Sequence, residues 1–104
     1  MPLSYSQKRR KPSESIYDDY GYILRGRQRR TVVAAMERPM LPSQIARTIK
    51  GEYTLSLNNV SRVLRDLERH GLVKCVTPDR ATGRVYLLTD RGRRARKELL
   101  AAEE

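Results

Sequence analysis

The chain contains no Phe and no Trp, one Cys and one His, and each shortage removes options. With a single cysteine, Cys75 has no intrachain disulfide partner, and Cys75 with His70 falls short of the ligand set of a structural zinc site. Neither a metal nor another cofactor is expected. No apolar run approaches the roughly 18 residues of a membrane span. The opening stretch Met1–Gln7 lacks the apolar segment of a secretory signal, so a reducing, cytoplasmic setting is expected. Paired carboxylates, metal-spaced clusters and a glycine-rich phosphate loop are also missing, and the lone Cys and His fall on different elements. The chain is therefore read as a non-enzyme. Without Phe and Trp, the interior must be filled by Leu, Val, Ile, Met and the six Tyr. At 104 residues there is room for one modest core.

Positive charge is what the sequence has in excess. Lys and Arg number 22 against 12 acids, for a net charge of +10 and a sequence pI near 10.4. Such a balance attracts polyanions, of which nucleic acid is the commonest, although a solvated surface kept for solubility would look the same. Arg supplies 17 of the 22 cations. Its planar group suits phosphates and the O6/N7 edge of guanine, but GC-rich codons give the same bias.

Residues 1–15 read as a flexible basic arm, with two Pro, four Ser and the run Lys8, Arg9, Arg10, Lys11. That run could follow phosphates or enter a minor groove, or it could be a solubilising tail. A folded domain is expected over 16–104. Ile16, Tyr17, Tyr20, Ile23 and Leu24 recur at helical spacing, with Gly21 and Gly26 read as interruptions. A helix is expected from Arg27 to Glu37, ended by Pro39. Another is expected from Pro42 to Ile49, with Leu41 where a capping residue usually stands. Arg25-Gly26-Arg27 has the centre of an AT-hook without its flanking prolines. Arg29 and Arg30 are expected near phosphates or an adjacent acid.

The clearest element runs from Ser56 to His70. Ser56 can cap it, Leu57, Val60, Val63, Leu64 and Leu67 form a stripe of period 3.6, and Gly71 can supply the left-handed residue past its end. At about 100° per residue, Asn58, Arg62, Arg65 and Arg69 fall opposite that stripe, with Asp66 and Glu68 on the flanks. One amide and three guanidinium groups in an acid-free row suit a helix lying in a major groove. Asn58 can pair with adenine and Arg62 with guanine, while Ser56, Asn59 and Ser61 stand beside them. Strands are expected over Leu72–Val76 and Arg84–Leu88, joined by a tip carrying Arg80 and Arg84. Thr89 or Asp90 can cap a last helix with the stripe Gly92, Ala95, Leu99 and Ala102.

The run Leu55–Val73 resembles the recognition helix of winged helix-turn-helix regulators: a polar first turn, then Val60-Ser61, then a Leu-rich stripe closing in Gly71-Leu72-Val73. Pro42-Ser43-Gln44-Ile45-Ala46 is similar to the helix that precedes it in that group, and Tyr86-Leu87-Leu88-Thr89-Asp90-Arg91-Gly92 to the strand-to-helix exit. These patterns cover about residues 22–100 and look like archaeal regulators of the MarR and ArsR types. The resemblance implies a mainly α fold with a small β-hairpin wing, built as a three-helix core plus wing and a C-terminal helix. It further implies a double-stranded DNA-binding transcriptional regulator, cytoplasmic and nucleoid-associated. A homodimer is expected through the leading (16–24) and C-terminal (90–102) helices, which carry apolar residues that a small monomer struggles to cover. Helix 56–70 would enter the major groove, and the 78–84 wing, with Arg80 and Arg84, would touch backbone or minor groove. A protein-interaction module of transcription or replication machinery, or a non-specific chromatin-binding protein, fits the same residues. Between Ile49 and Leu57 the chain is several residues longer than the tight turn of a minimal helix-turn-helix, which leaves the angle between the two helices open.

Overall fold

The computed structural model describes residues 12–49 and 53–102, with side chains from Tyr17 onward. In chain order they form α1 (Pro12–Leu24), α2 (Arg27–Ala35), α3 (Pro42–Thr48), α4 (Leu57–Arg69), β1 (Val73–Cys75), β2 (Tyr86–Leu88) and α5 (Asp90–Ala102). None of these helices is long and apolar enough to cross a membrane. The run Lys8–Lys11 and the turn residues Lys50–Glu52 lie outside the described residues.

The helix α4 forms as its sequence dictates. Ser56 sits in extended conformation, and its Oγ accepts the Asn59 N–H at 3.1 Å. Past the last turn, Gly71 takes φ +82°. The Gly71 N–H donates to Glu68 O at 3.0 Å and the Leu72 N–H to Leu67 O at 2.9 Å, so two orphan carbonyls are closed off by one left-handed glycine. Val60, Val63, Leu64 and Leu67 are buried. Leu57, which heads the stripe, is half exposed.

The first two helices differ from the sequence reading at their bounds. The first helix begins at Pro12, inside the expected arm, and runs through Gly21 without a break. A lone glycine costs a helix about 1 kcal/mol, which the packing of Ile23 and Asp19 against α2 and α5 outweighs. The next helix stops at Ala35, where Met36 leaves helical conformation. The start of α3 is held although Leu41 has no side-chain acceptor, because Gln44 Oε1 takes the Leu41 N–H at 2.9 Å.

The hairpin is antiparallel, with Val73 opposite Leu88, Lys74 opposite Leu87 and Cys75 opposite Tyr86. Met40 adds a further rung that no sequence pattern signalled, exchanging two backbone hydrogen bonds of 2.9 Å with Tyr86. This ties the α2–α3 connection to the base of the hairpin.

The exit into α5 is just as fixed. Thr89 Oγ1 accepts the Gly92 N–H at 3.2 Å and donates to Gly71 O at 2.8 Å, while the Thr89 N–H donates to Leu72 O at 3.0 Å. Further along α5, the Arg96 guanidinium donates to Val33 O and Ala34 O, at 2.9 Å to the latter, and so satisfies carbonyls at the end of α2.

The core is aliphatic, with Val32, Val33, Met36, Met40, Ile45, Leu64, Leu67, Leu72 and Leu99 among its members. The tyrosines contribute less than expected. Of those described, only Tyr86 is buried, and Tyr17 is 72% exposed. Helices α2, α3 and α4 around one core, with the hairpin beside them and α5 beyond, make a winged helix-turn-helix. The leading helix lies chiefly on α5 and secondarily on α2.

Candidate nucleic-acid interface

The face of α4 turned away from the core carries Asn58, Arg62, Arg65 and Arg69, all exposed. It is not the acid-free row of the helical wheel. Arg69 forms an ion pair with Asp66, because residues three apart are neighbours on a helix surface and a long guanidinium stem reaches the flank. An exposed pair of this kind contributes about 0–1 kcal/mol, so a phosphate can displace it. Arg62 is also engaged, its Nη2 donating to Gln28 Oε1 at 3.1 Å and Asn59 Oδ1 at 3.2 Å. Those bonds turn Arg62 toward α2. Asn58 and Arg65 are exposed on the same face, and Ser56 spends its Oγ on the cap.

Two clefts flank α4. On one side a cavity of about 620 Å³ opens between the start of α3, α4 and the wing, lined by Pro42, Ser43, Leu57, Ser61, Arg65, Glu68 and residues 81–84. On the other a cavity of about 450 Å³ lies between α4 and the start of α2, lined by Arg27, Gln28, Tyr53, Arg62 and Asp66.

The wing is organised by Thr77. Its Oγ1 accepts the Val85 N–H at 3.0 Å, its carbonyl accepts the Arg80 N–H at 3.1 Å, and the Val76 N–H donates to Val85 O at 2.8 Å. Gly83 closes the tip at φ +67°, a left-handed conformation suited to glycine. Arg80 is exposed on this tip. Arg84 is not, which corrects its expected place: it folds back, half-buried, with Nη1 donating to Arg80 O at 3.3 Å. The neighbouring Tyr86 side chain, and after it Cys75, hold the Arg84 guanidinium above its ordinary pKa.

Arg29 and Arg30, expected near phosphates or an adjacent acid, meet backbone carbonyls instead of an acid. Arg29 lies over the Tyr22 ring, 4.0 Å from its centroid, and donates to Tyr22 O, while Arg30 donates to Leu24 O. Both answer the partial negative charge at the end of α1. Arg27, noted in the sequence only within the AT-hook centre Arg25-Gly26-Arg27, has its guanidinium carbon 3.8 Å from the centroid of Tyr53. Its partner comes from the inter-helix turn, where no periodicity points to it. His70 stacks on Tyr22, with ring centroids 3.8 Å apart. Cys75 is half-buried, its Sγ 3.9 Å from Thr77 Oγ1. Among the described residues no three His, Cys, Asp or Glu side chains gather where they could hold a metal ion.

No protein-family model matches the chain, and no curated protein matches it. Among solved structures it is similar to a MarR family transcription regulator, at a TM-score of 0.66 and 19% sequence identity. The similarity covers 86% of this chain and 59% of that one, so the chain spans little more than half the length of the regulator it resembles. At that identity the likeness establishes the winged-helix fold.

Proposed function

We propose that the chain is a transcription regulator that binds duplex DNA and has no catalytic activity. In this reading α4 lies in the major groove, and the wing, with Arg80 at its tip, rests on backbone or minor groove. The observation that carries it is the exposed face of α4, Asn58, Arg62, Arg65 and Arg69, raised between two clefts that each contain arginine. A B-DNA major groove, about 12 Å wide, admits one helix with its side chains. The net charge of +10 and the regulator fold support the same reading. It places the protein in the cytoplasm, on the nucleoid. The archaeal and ArsR-type sides of the resemblance rest on the sequence patterns alone.

Within α4, Asn58 is the residue best placed to read a base. It is exposed in the first turn, the part of a recognition helix that reaches base edges. Arg62, held toward α2, suits a phosphate better than a guanine. Asn58→Ala should weaken binding to a selected site by about 1–3 kcal/mol and relax preference at one base pair. Affinity for random duplexes should stay close to wild type. A gel-shift series against both duplexes checks this, and equal losses on the two would remove Asn58 from base reading. If duplex binding is absent even at low salt, a protein-interaction module takes over. Binding with a steep salt slope and no sequence preference indicates chromatin packing.

The protein acts as a homodimer in this reading, with α1 as the main seam. Tyr17, Tyr20, Gly21 and Leu24 follow the i, i+3, i+4, i+7 spacing of one helix face, and Tyr17 and Leu24 are exposed. Gly21 is not required by the monomer, since an added Cβ would meet only Arg25 Nη1, at 3.6 Å. Close approach of a second backbone accounts for it. The last helix contributes less than its sequence suggested, because Gly92, Ala95 and Leu99 are buried within their own chain and Arg93, Arg94 and Lys97 face outward. Gly21→Leu should shift the protein to monomer in analytical ultracentrifugation and reduce its preference for palindromic over half-site DNA. A dimer unchanged by that bulk would place the seam elsewhere.

A further inference from the structure

We infer that Arg27, held against Tyr53, is a phosphate-binding residue on the flank of α4 opposite the wing, and that its ligand is the backbone of duplex DNA. The inference rests on the duplex-binding reading above and extends it to an element outside the recognition helix and wing. A helix seated in a major groove has a phosphate backbone on each side. On one side of α4 stands the wing cleft with Arg65 and Arg84, and on the other the cleft that contains Arg27 and Arg62. Both groove walls thus meet arginine.

Three features of this second cleft favour an anion. The Arg27 guanidinium carbon sits 3.8 Å from the Tyr53 ring centroid, a cation–π contact that holds the group in place while its N–H groups can still donate. No acceptor among the described residues takes a hydrogen bond from it. The acid in the cleft, Asp66, is engaged by Arg69. Finally, Arg27 and Arg62 place like charges around one cavity, and α2 has no acid in its first turn. A cation at the positive end of a helix, as Arg27 is on α2, opposes folding, and a phosphate seated between Arg27 and Arg62 offsets that cost.

The experiment is a fluorescence-anisotropy titration of wild type, Arg27→Ala and Arg27→Lys against a selected duplex and a random duplex over a salt series. Loss of one phosphate contact should weaken Arg27→Ala about fivefold to tenfold at 0.1 M salt, equally on both duplexes, and lower the slope of log affinity on log salt by about 1. Arg27→Lys should keep the wild-type slope, because the charge remains. A circular-dichroism melt confirms that both variants are folded. Wild-type affinity and slope in Arg27→Ala, alongside normal duplex binding by wild type, would overturn this inference alone. Absence of duplex binding by wild type would overturn it together with the reading it rests on.

Discussion

Gly92→Ala is expected to lower the melting temperature by about 10–20 °C, the shift that a loss of about 3 kcal/mol produces in a domain of this size. A Cβ at this position would lie 2.1 Å from Leu72 O and 3.1 Å from Leu88 Cδ2. The obstacle is a backbone oxygen rather than the end of a flexible side chain. That oxygen is itself fixed, since it accepts the Thr89 N–H, and the Leu72 N–H closes the end of α4 on Leu67 O. The added methyl must therefore lift the first turn of α5 away from the α4–β1 turn. Doing so breaks the Thr89 bonds to Gly71 and Leu72 as well. Overpacking in a well-packed site costs about 1–3 kcal/mol, and the loss of two hydrogen bonds adds to it. Thermal unfolding followed by circular dichroism decides the matter. A shift within a few degrees of zero would mean that α5 can slide on the turn, and that Gly92 is not a packing requirement.

The same glycine shows what was legible in the sequence. Gly92, Ala95 and Leu99 sit on one face of a helix whose cap is Thr89, and each of those signals is local. So are the Ser56 cap, the Leu64 and Leu67 stripe and the Gly71 stop of α4, which is why the recognition-helix pattern and the wing could be read in order. What escaped is non-local or depends on side-chain reach. The Met40–Tyr86 rung joins residues far apart in the chain through backbone groups alone and leaves no periodicity. Gly21 reads as a break on intrinsic propensity alone, which the packing of α1 overrides. On the candidate site, the wheel placed Arg62, Arg65 and Arg69 on the correct face. It could not say that Arg69 would swing to Asp66, that Arg62 would lean on Gln28, or that Arg84 would fold under the wing. Arg27 shows in the sequence only as part of an AT-hook centre for a related reason, since its contact with Tyr53 is non-periodic.

Arg91→Met is the second large effect, expected to cost about 2–4 kcal/mol. Asp19 is 2% exposed and is the buried charged residue among those described. Both its oxygens are taken by Arg91, Nε to Oδ2 at 3.0 Å and Nη2 to Oδ1 at 2.7 Å, and this pairing raises the Arg91 pKa above its ordinary value. The two residues are 72 positions apart, so the pair clasps α1 to the start of α5. Removing the guanidinium leaves a carboxylate buried without a counter-ion. Such losses reach about 3–5 kcal/mol when both groups are dry, but the Arg91 side chain is 42% exposed and water can approach, which moves the expectation down. A second substitution separates charge burial from simple loss of packing. Asp19→Leu combined with Arg91→Met should recover most of the stability, because two apolar groups need no partner. A double variant as unstable as the single one would show that the clasp acts through geometry and not through a stranded charge. The clasp also bears on the proposed DNA binding. Arg91 Nη2 donates to His70 O at the end of α4, and the His70 ring stacks on Tyr22 of α1, so the helix proposed as the dimer seam is fastened to the end of α4. Arg91→Met, measured at a temperature where it is still folded, should therefore lose affinity for a palindromic site more than for a half-site. Equal losses on the two would mean that α1 does not set the spacing between paired recognition helices.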